Sequence, residues 1–421
     1  MNQRISQQLD SLRADGLLRR MRETRPGADG TVALPGSVLV NWGSNDYLGL
    51  SRHPAVVEAA IRALGEYGMG AGASRLITGT TPEHTRLEDA LARFKGKQAA
   101  LTFSSGYATA VGVLPAVAGK EDVIILDKLS HACLIDGAKL SKATLRVFPH
   151  NHLGKLESLL EWAVEHHPNR AIWVVTESIF SMDGDAAPLK EIVEIKKRYP
   201  FQLLVDEAHA LGVHGPGGRG LAEALGVSDQ IDLIMGTMSK SMGVAGGFVA
   251  GDQELIDLLI NRARSLVFST APPPALAAAA LASLEVLGGS EGDALRVKLW
   301  DGIRLLSEGT PDILKSPAWG TSAIFPVVLG DNRTVKAAAK FMSARGAFTP
   351  AIRYPTVPKD GARLRLSLTA GHEASQITQL IGSLRELGAV LAKRARTGDE
   401  WRSGQSTMSG NANYAEPDTD H

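Results

Sequence analysis

One cysteine, Cys133, stands in 421 residues, which excludes an intrachain disulfide framework and any cysteine-rich zinc site. Net charge is also missing: 45 basic and 45 acidic residues cancel. A protein that wraps nucleic acid needs surplus Lys and Arg to displace counterions, and no basic patch interleaved with aromatics is present, so that class is disfavoured. Long apolar runs are absent. The most apolar stretch, Ala271 to Leu287, contains three prolines and falls short of the roughly 20 residues that a bilayer span requires. The opening MNQRISQQLDSLRADGLLRRMRETR has no apolar core of the kind a secretory leader carries. These absences predict a cytoplasmic protein with no membrane span and no nucleic-acid partner. Global disorder is excluded by the 44% hydrophobic and 21% charged composition.

Glycine is plentiful, 44 residues, and concentrates between apolar runs, as in α/β enzymes whose strands and helices meet in tight turns. The first 25 residues place Ile5, Leu9, Leu12, Leu17 and Leu18 among charges and predict an amphipathic helix with a break near Gly16. Pro54–Tyr67 and Thr81–Lys95 predict two more helices, the first with Pro in its first turn, the second capped by Thr81. From Ala99 to about Ala250, short apolar runs alternate with helical periodicity: Ala100–Phe103, Val123–Leu126, Ile172–Val175, Leu203–Val205, Leu233–Met235 and Gly247–Ala250. Near-continuous apolar strands indicate a mostly parallel sheet buried on both faces. The expectation is an α/β fold: an N-terminal helical segment over 1–50, a large α/β domain over 51–285, a smaller α+β C-terminal domain over 286–396, and a disordered tail over 397–421 where apolar spacing is lost.

Ligands of such sheets sit at the carboxyl ends of the strands. The runs are followed there by Ser104-Ser105-Gly106-Tyr107, by Asp127, by Thr176-Glu177, by Asp206-Glu207-Ala208-His209 and by Gly236-Thr237-Met238-Ser239-Lys240. Polar and ionisable residues at one strand end after another point to an active site. A lysine enclosed at Lys240 would lose its charge more easily than a surface one and could form a Schiff base; a loop lysine is the commoner case. Thr237, Ser239 and the neighbouring glycines suit a phosphate. Asp206 could keep a ring nitrogen protonated, with His209 in reach of the same ligand, although Asp-x-x-His alone would serve equally as a strand cap or a metal pair. No third ligand is specified nearby, so no metal is expected. Ser104–Tyr107 turns a strand into a helix N-terminus, an anion site or an ordinary capped turn, but it is not a triphosphate-binding loop. Gly70–Arg75 follows a helix and so is no dinucleotide fingerprint. His131 is ambiguous by itself, and Arg353 and Arg365 could clamp a carboxylate near strand ends or simply lie on the surface.

Taken together, NDYLGLSRHP (45–54), FSSGYATA (103–110), DKLSHACL (127–134), TESIFSMDGDAAPL (176–189), VDEAHALGVHGPGGRG (205–220), GTMSKSMGVAGG (236–247), FSTAPPP (268–274) and the 351–372 segment resemble the α-oxoamine synthases, pyridoxal-phosphate (PLP) enzymes of the aspartate aminotransferase fold type. The resemblance runs from about residue 5 to residue 392. It implies that Lys240 carries PLP as a Schiff base and later moves the Cα proton. It implies that Asp206 pairs with the pyridinium nitrogen, that His131 stacks on the ring, and that Ser181 and His209 bond near its phenolic oxygen. Gly106, Tyr107 and Thr237 would hold the phosphate, with Thr270 reaching it from the second subunit of a homodimer. Asn45 and Arg365 would bind the amino-acid carboxylate, with Arg353 near the same group and Arg19 near the acyl substrate.

The 351–372 segment and LGDN (329–332) are similar to the branch that condenses L-alanine with a pimeloyl thioester, carried on coenzyme A or a carrier protein, in the biotin pathway. Three rivals share the cofactor residues: glycine with acetyl-CoA, glycine with succinyl-CoA, and serine with a long acyl thioester. A non-catalytic binding module on the same fold is a fourth reading, against which the intact Lys240, Asp206 and His131 set argues.

Overall fold

The computed structural model describes residues 2–27 and 29–397. Backbone packing divides it into two compact units. The larger is Asn45–Ser181 with Asp185–Leu299, and the remaining described residues form the smaller.

Seven strands build the sheet of the larger unit: β1 Ala99–Phe103, β2 Val123–Asp127, β3 Thr144–Phe148, β4 Ile172–Glu177, β5 Gln202–Asp206, β6 Leu233–Thr237 and β7 Gly247–Gly251. Their order is β1-β7-β6-β5-β4-β2-β3, parallel throughout except for β7, which runs antiparallel to both its neighbours. The α/β fold with a mostly parallel sheet therefore holds. β2, β4 and β6 are buried along their whole length, which is why they appear in the sequence as unbroken apolar runs. Helices Gly106–Val117 and Ala132–Ser141 pack on the sheet through Val113, Leu114 and Leu134, which meet Leu101, Ile124, Val175 and Met235. Each such side chain contributes about 1.5–3 kcal/mol by leaving water.

One strand has no counterpart among the expected runs. TLRVF (β3) is the sheet's outer strand next to β2, and Arg146 and Val147 are exposed. A half-solvated edge needs no continuous apolar run, so its signal is weak. Thr81 caps helix Pro82–Lys95 as expected, in a reciprocal capping box with His84.

In the smaller unit, the expected N-terminal helix spans Asn2–Ala14 and the chain turns at Gly16, which adopts a φ of 64°. The first 50 residues are not helical throughout, however. Thr31–Leu34 and Ser37–Asn41 form a hairpin about Pro35-Gly36, and Ala347–Phe348 adds to it in parallel. The alternation in TVALPGSVLV is a strand signal interrupted by a turn, and it prevails over helix formation there. A second sheet joins Ile324–Gly330, Ala362–Ser367 and Ala351–Ile352. Helices Asn332–Ser343, capped by Asp331, and Ala374–Thr397 accompany it. The expectation of a disordered tail concerns residues outside the described ones, apart from Thr397. Among the described residues no helix is long and apolar enough to cross a membrane, and no cluster of His, Cys, Asp and Glu is arranged to hold a metal.

Candidate active site

Strand register brings the site together. Gly247, at the start of β7, pairs with Phe103 on one side and Thr237 on the other, so β1 and β6 end level with each other. A Cβ on Gly247 would stand 2.5 Å from Thr109 Oγ1 and 2.6 Å from the Gly106 nitrogen, so only glycine lets the helix start so close to the sheet. Ser105 Oγ caps that helix by accepting from the Ala108 N–H (3.0 Å), and a Cβ on Gly106 would lie 3.2 Å from the Thr237 Cβ. A helix N-terminus and a threonine hydroxyl thus share one corner. Tyr107 is exposed beside it and donates to Asp136 (2.8 Å).

The segment after β6 folds back on itself. Met238 N–H donates to Gly246 O (3.0 Å), Val244 N–H to Met238 O (2.9 Å) and Gly243 N–H to Lys240 O (2.8 Å). Thr237 Oγ1 lies 2.8 Å from Ser239 Oγ and donates to Gly246 O (2.9 Å). This tight turn presents Lys240, whose Nζ lies 2.8 Å from His209 Nε2. A side chain without an assigned role continues the line. The buried Tyr47 hydroxyl lies 2.7 Å from His209 Nδ1 and donates to Asn45 Oδ1 (3.3 Å). With that donation made, the Tyr47 oxygen accepts from His209 Nδ1–H, and Nε2 faces Lys240 as an acceptor.

Asp206 ends β5 and is buried. One of its oxygens accepts from the Ala208 N–H (2.9 Å), and burial raises the carboxyl above its ordinary range, moderated by the charge of Lys240. Glu177, level with Asp206 on β4, is likewise buried. Burial, with the Asp206 charge added, pushes it up to about 8, and it accepts the His131 N–H (2.5 Å). His131, an exposed residue, caps helix Ala132–Ser141: its Nδ1 accepts from the Cys133 N–H (3.2 Å). Ser181 is buried in the segment after β4. Thr270 is exposed and bridges to Ser74.

The larger unit therefore gathers Lys240, His209 and Asn45 into one hydrogen-bonded line, and Gly106 and Thr237 into one corner. Asp206, His131 and Lys240 lie within reach of one another's charges. Arg19, Arg353 and Arg365 belong to the smaller unit. Arg19 donates to Thr356 Oγ1 (3.1 Å) and the buried Arg353 to Gly16 O (2.7 Å). Both line a cavity of about 240 Å³ with Phe348, Pro350 and Ile352. Arg365 is placed differently from the expected strand end: it lies inside Ala362–Ser367, buried, and donates to Ser367 Oγ (2.7 Å), because the apolar alternation of ARLRLS carries the strand past it.

The profile of aminotransferase class I and II matches residues 37–384. An 8-amino-7-oxononanoate synthase of Geobacter sulfurreducens is 41% identical over 93% of this chain and 99% of its own. One from Anaeromyxobacter dehalogenans is 46% identical over 92% of this chain and 95% of its own. The chain belongs to the α-oxoamine synthases. Solved α-oxoamine synthases share its fold. A serine palmitoyltransferase from S. paucimobilis with PLP bound superposes with a TM-score of 0.85 at 31% identity, covering 92% of this chain and 98% of that one. An 8-amino-7-oxononanoate synthase from Francisella tularensis superposes at 0.73 and 27% identity, covering 85% and 99%.

Sequence reasoning named ten residues of the larger unit's site and left Tyr47 and Glu177 without roles. Both were visible in part: Tyr47 lies inside NDYLGL, and Glu177 follows an apolar strand.

Proposed function

We propose that this α-oxoamine synthase uses PLP to join L-alanine to a pimeloyl thioester, releasing the thiol and carbon dioxide and giving 8-amino-7-oxononanoate. The observation that carries the substrate pair is the relationship at 41–46% identity, over nearly the whole length of both chains, to synthases of that name. The donor set fits the cofactor: an amine, a buried carboxylate, and a helix N-terminus beside a hydroxyl suit an aldehyde, a pyridinium and a phosphate respectively.

Lys240 would hold the aldehyde carbon, and Gly106, Tyr107 and Thr237 the phosphate. Asp206 would accept from the ring nitrogen and keep it protonated, while His131 would lie on the ring face and Ser181 and His209 beside its phenolic oxygen. Bound there, PLP supplies an electron sink for negative charge at the amino acid's Cα. Lys240 Nζ would take the Cα proton, and the acceptor Nε2 of His209 beside it would hold the ammonium so formed. Asn45 would hold the amino-acid carboxylate so that the Cα–H bond is set for cleavage, the role that the family resemblance also implies for Arg365. The cavity of the smaller unit pairs a mostly apolar lining with Arg19 and Arg353, a lining suited to an acyl chain that ends in a carboxylate.

A homodimer completes this reading, with Thr270 serving the second subunit's phosphate site. It is supported by the exposed apolar side chains of Leu76, Ile77 and Phe268 around the Ser74–Thr270 bridge. The buried thiol of the one cysteine suits the cytoplasm.

The higher superposition score of the serine palmitoyltransferase keeps a second pair, serine with a palmitoyl thioester, in view. The test supplies L-alanine, glycine and L-serine separately with pimeloyl, acetyl, succinyl and palmitoyl thioesters and follows free thiol. Alanine with the pimeloyl donor is expected to be fastest. A faster rate for any other pair overturns the substrate assignment and leaves the family in place.

A further inference from the structure

At the end of edge strand β3, outside the residues assigned above, His150 stands between two carboxylates. Its Nδ1 is 3.0 Å from Asp127 Oδ1 and its Nε2 2.7 Å from Asp185 Oδ2. A neutral imidazole has one N–H and would set its lone pair against one of the two acids; only the imidazolium donates to both. Burial opposes that charge, but the hydrogen bonds and charges of Asp127 and Asp185 outweigh it and push His150 up to about 10. The Phe180 ring stands perpendicular to the imidazole, with the ring centroids 4.4 Å apart. Asn151, in the left-handed region at a φ of 55°, turns so that its backbone N–H reaches Asp127 Oδ2 (2.9 Å) and its side chain donates to Asp185 Oδ2 (3.0 Å) and Ala186 O (3.1 Å).

The two acids organise two different loops. Asp127 ends β2 and accepts the Leu129 N–H (2.8 Å), shaping the segment that leads to His131. Asp185 closes the hairpin after β4, in which Phe180 N–H donates to Asp185 O (2.9 Å) and Ala187 N–H to Ser178 O (3.0 Å); this hairpin carries Ser181. We propose that His150 is a positioning residue whose imidazolium clamps the 127–131 loop to the 178–187 hairpin, and so sets His131 and Ser181 together for the cofactor. The proposal rests on the roles given to His131 and Ser181 above.

Two measurements on the full-length protein test it. In wild type labelled with 15N-histidine, the His150 signal, assigned by its loss in His150→Gln, should show both ring nitrogens protonated at about pH 8, well above the ordinary histidine range. A neutral ring overturns the clamp. In cofactor-free His150→Gln, amide exchange at Leu129 and at Phe180 and Ala187 should quicken together, on the order of tenfold, while the central strands stay protected. The same variant should bind PLP on the order of tenfold more weakly and show an altered visible spectrum. Loosening of one loop alone, or unchanged PLP affinity and spectrum, overturns the proposal. Should His150→Gln not fold, Asp185→Asn serves instead. It takes the charge from the hairpin arm and leaves the Asp127 arm intact, so Phe180 and Ala187 should exchange faster while Leu129 stays protected, and uniform protection would overturn the clamp. Wild type that takes up no PLP overturns the functional reading and the positioning role with it. The exchange data, read without cofactor, report on the clamp separately.

Discussion

Asp206 and Glu207 are adjacent at the end of β5, both buried, and they meet opposite fates. Glu207 is satisfied within the fold. The ammonium of the buried Lys95 bonds to its Oε2 and also to Arg219 O, and its Oε1 accepts the Ala222 N–H (2.8 Å). Gly220, at a φ of 115°, passes so near that a Cβ there would stand 2.2 Å from Glu207 Oε2. Every part of that neighbourhood is shaped to neutralise one charge. Asp206 is raised chiefly by burial and further by the Glu207 charge, and the charge of Lys240, a backbone N–H from Ala208 and the charge of His131 only moderate that rise. A buried acid with its own ammonium is part of the structure, whereas one left above its ordinary range at a strand end is set for a cation that a ligand brings. The two lysines repeat the contrast: Lys95 meets a carboxylate and Lys240 an imidazole.

The strongest way to break this contrast is to exchange the consequences of losing each lysine. Lys240→Ala should abolish the borohydride-reducible adduct with PLP and lower turnover on the order of 10⁴-fold, with the unfolding midpoint of cofactor-free protein nearly unchanged. Intact mass after reduction and urea unfolding check both halves. Lys95→Met should do the reverse. It strands Glu207 as an uncompensated buried charge and costs about 3–5 kcal/mol of stability, while the protein that remains folded keeps the wild-type visible spectrum. If Lys95→Met altered the spectrum and spared stability, the division between structural and functional charge would fail.

A sharper version uses pH. Glu177 and Asp206 are both raised by burial. Between the ordinary carboxylate range and the raised one, the folded state holds protons that the unfolded chain has released. Stability of the cofactor-free protein should therefore fall as pH rises, up to about 8 for Glu177. Asp206→Asn should flatten part of that slope in urea titrations. It should also slow turnover on the order of 10²-fold while PLP still binds. A slope unchanged by both Asp206→Asn and Glu177→Gln would show that these acids find compensation elsewhere.

How much of this was legible in the sequence follows from burial. Strands buried on both faces appear as apolar runs, and their ends led to Lys240, Asp206, His209 and Thr237. β3 is half exposed and escaped notice, and with it His150, which stands just beyond its end. Tyr47 and Glu177 lay in view but act through partners 162 and 46 residues away in sequence, His209 and His131, and no spacing rule spans such distances. The N-terminal hairpin carries its own signal in the alternation of TVALPGSVLV, whereas the strand that joins it, Ala347–Phe348, is two residues long and lies far along the chain, so nothing local marks it.

The smallest effect concerns Tyr47, and it tests whether the contrast extends to a proton's position. The Tyr47 hydroxyl donates to Asn45 Oδ1 and accepts from His209 Nδ1, leaving Nε2 as the acceptor facing Lys240. Tyr47→Phe keeps the ring volume, so it opens no cavity, and the lost hydrogen bond should cost about 0.5–1.5 kcal/mol. The chemical consequence should be more specific than the loss of stability. Without the hydroxyl, His209 is released to carry its proton on Nε2, where it can no longer accept from Lys240. An Nε2–H pointing at Lys240 favours the neutral amine that capture of PLP by cofactor-free protein needs, so the pH profile of capture should move to lower pH, and the rate near neutrality should rise up to roughly tenfold, the kinetic equivalent of the energy lost. Asp206 and the phosphate corner are untouched, so the affinity for PLP once captured should change little. A capture profile that coincides with wild type would mean that some other contact fixes the His209 tautomer, and that Tyr47 belongs with Lys95 and Glu207 among the groups that only hold the fold.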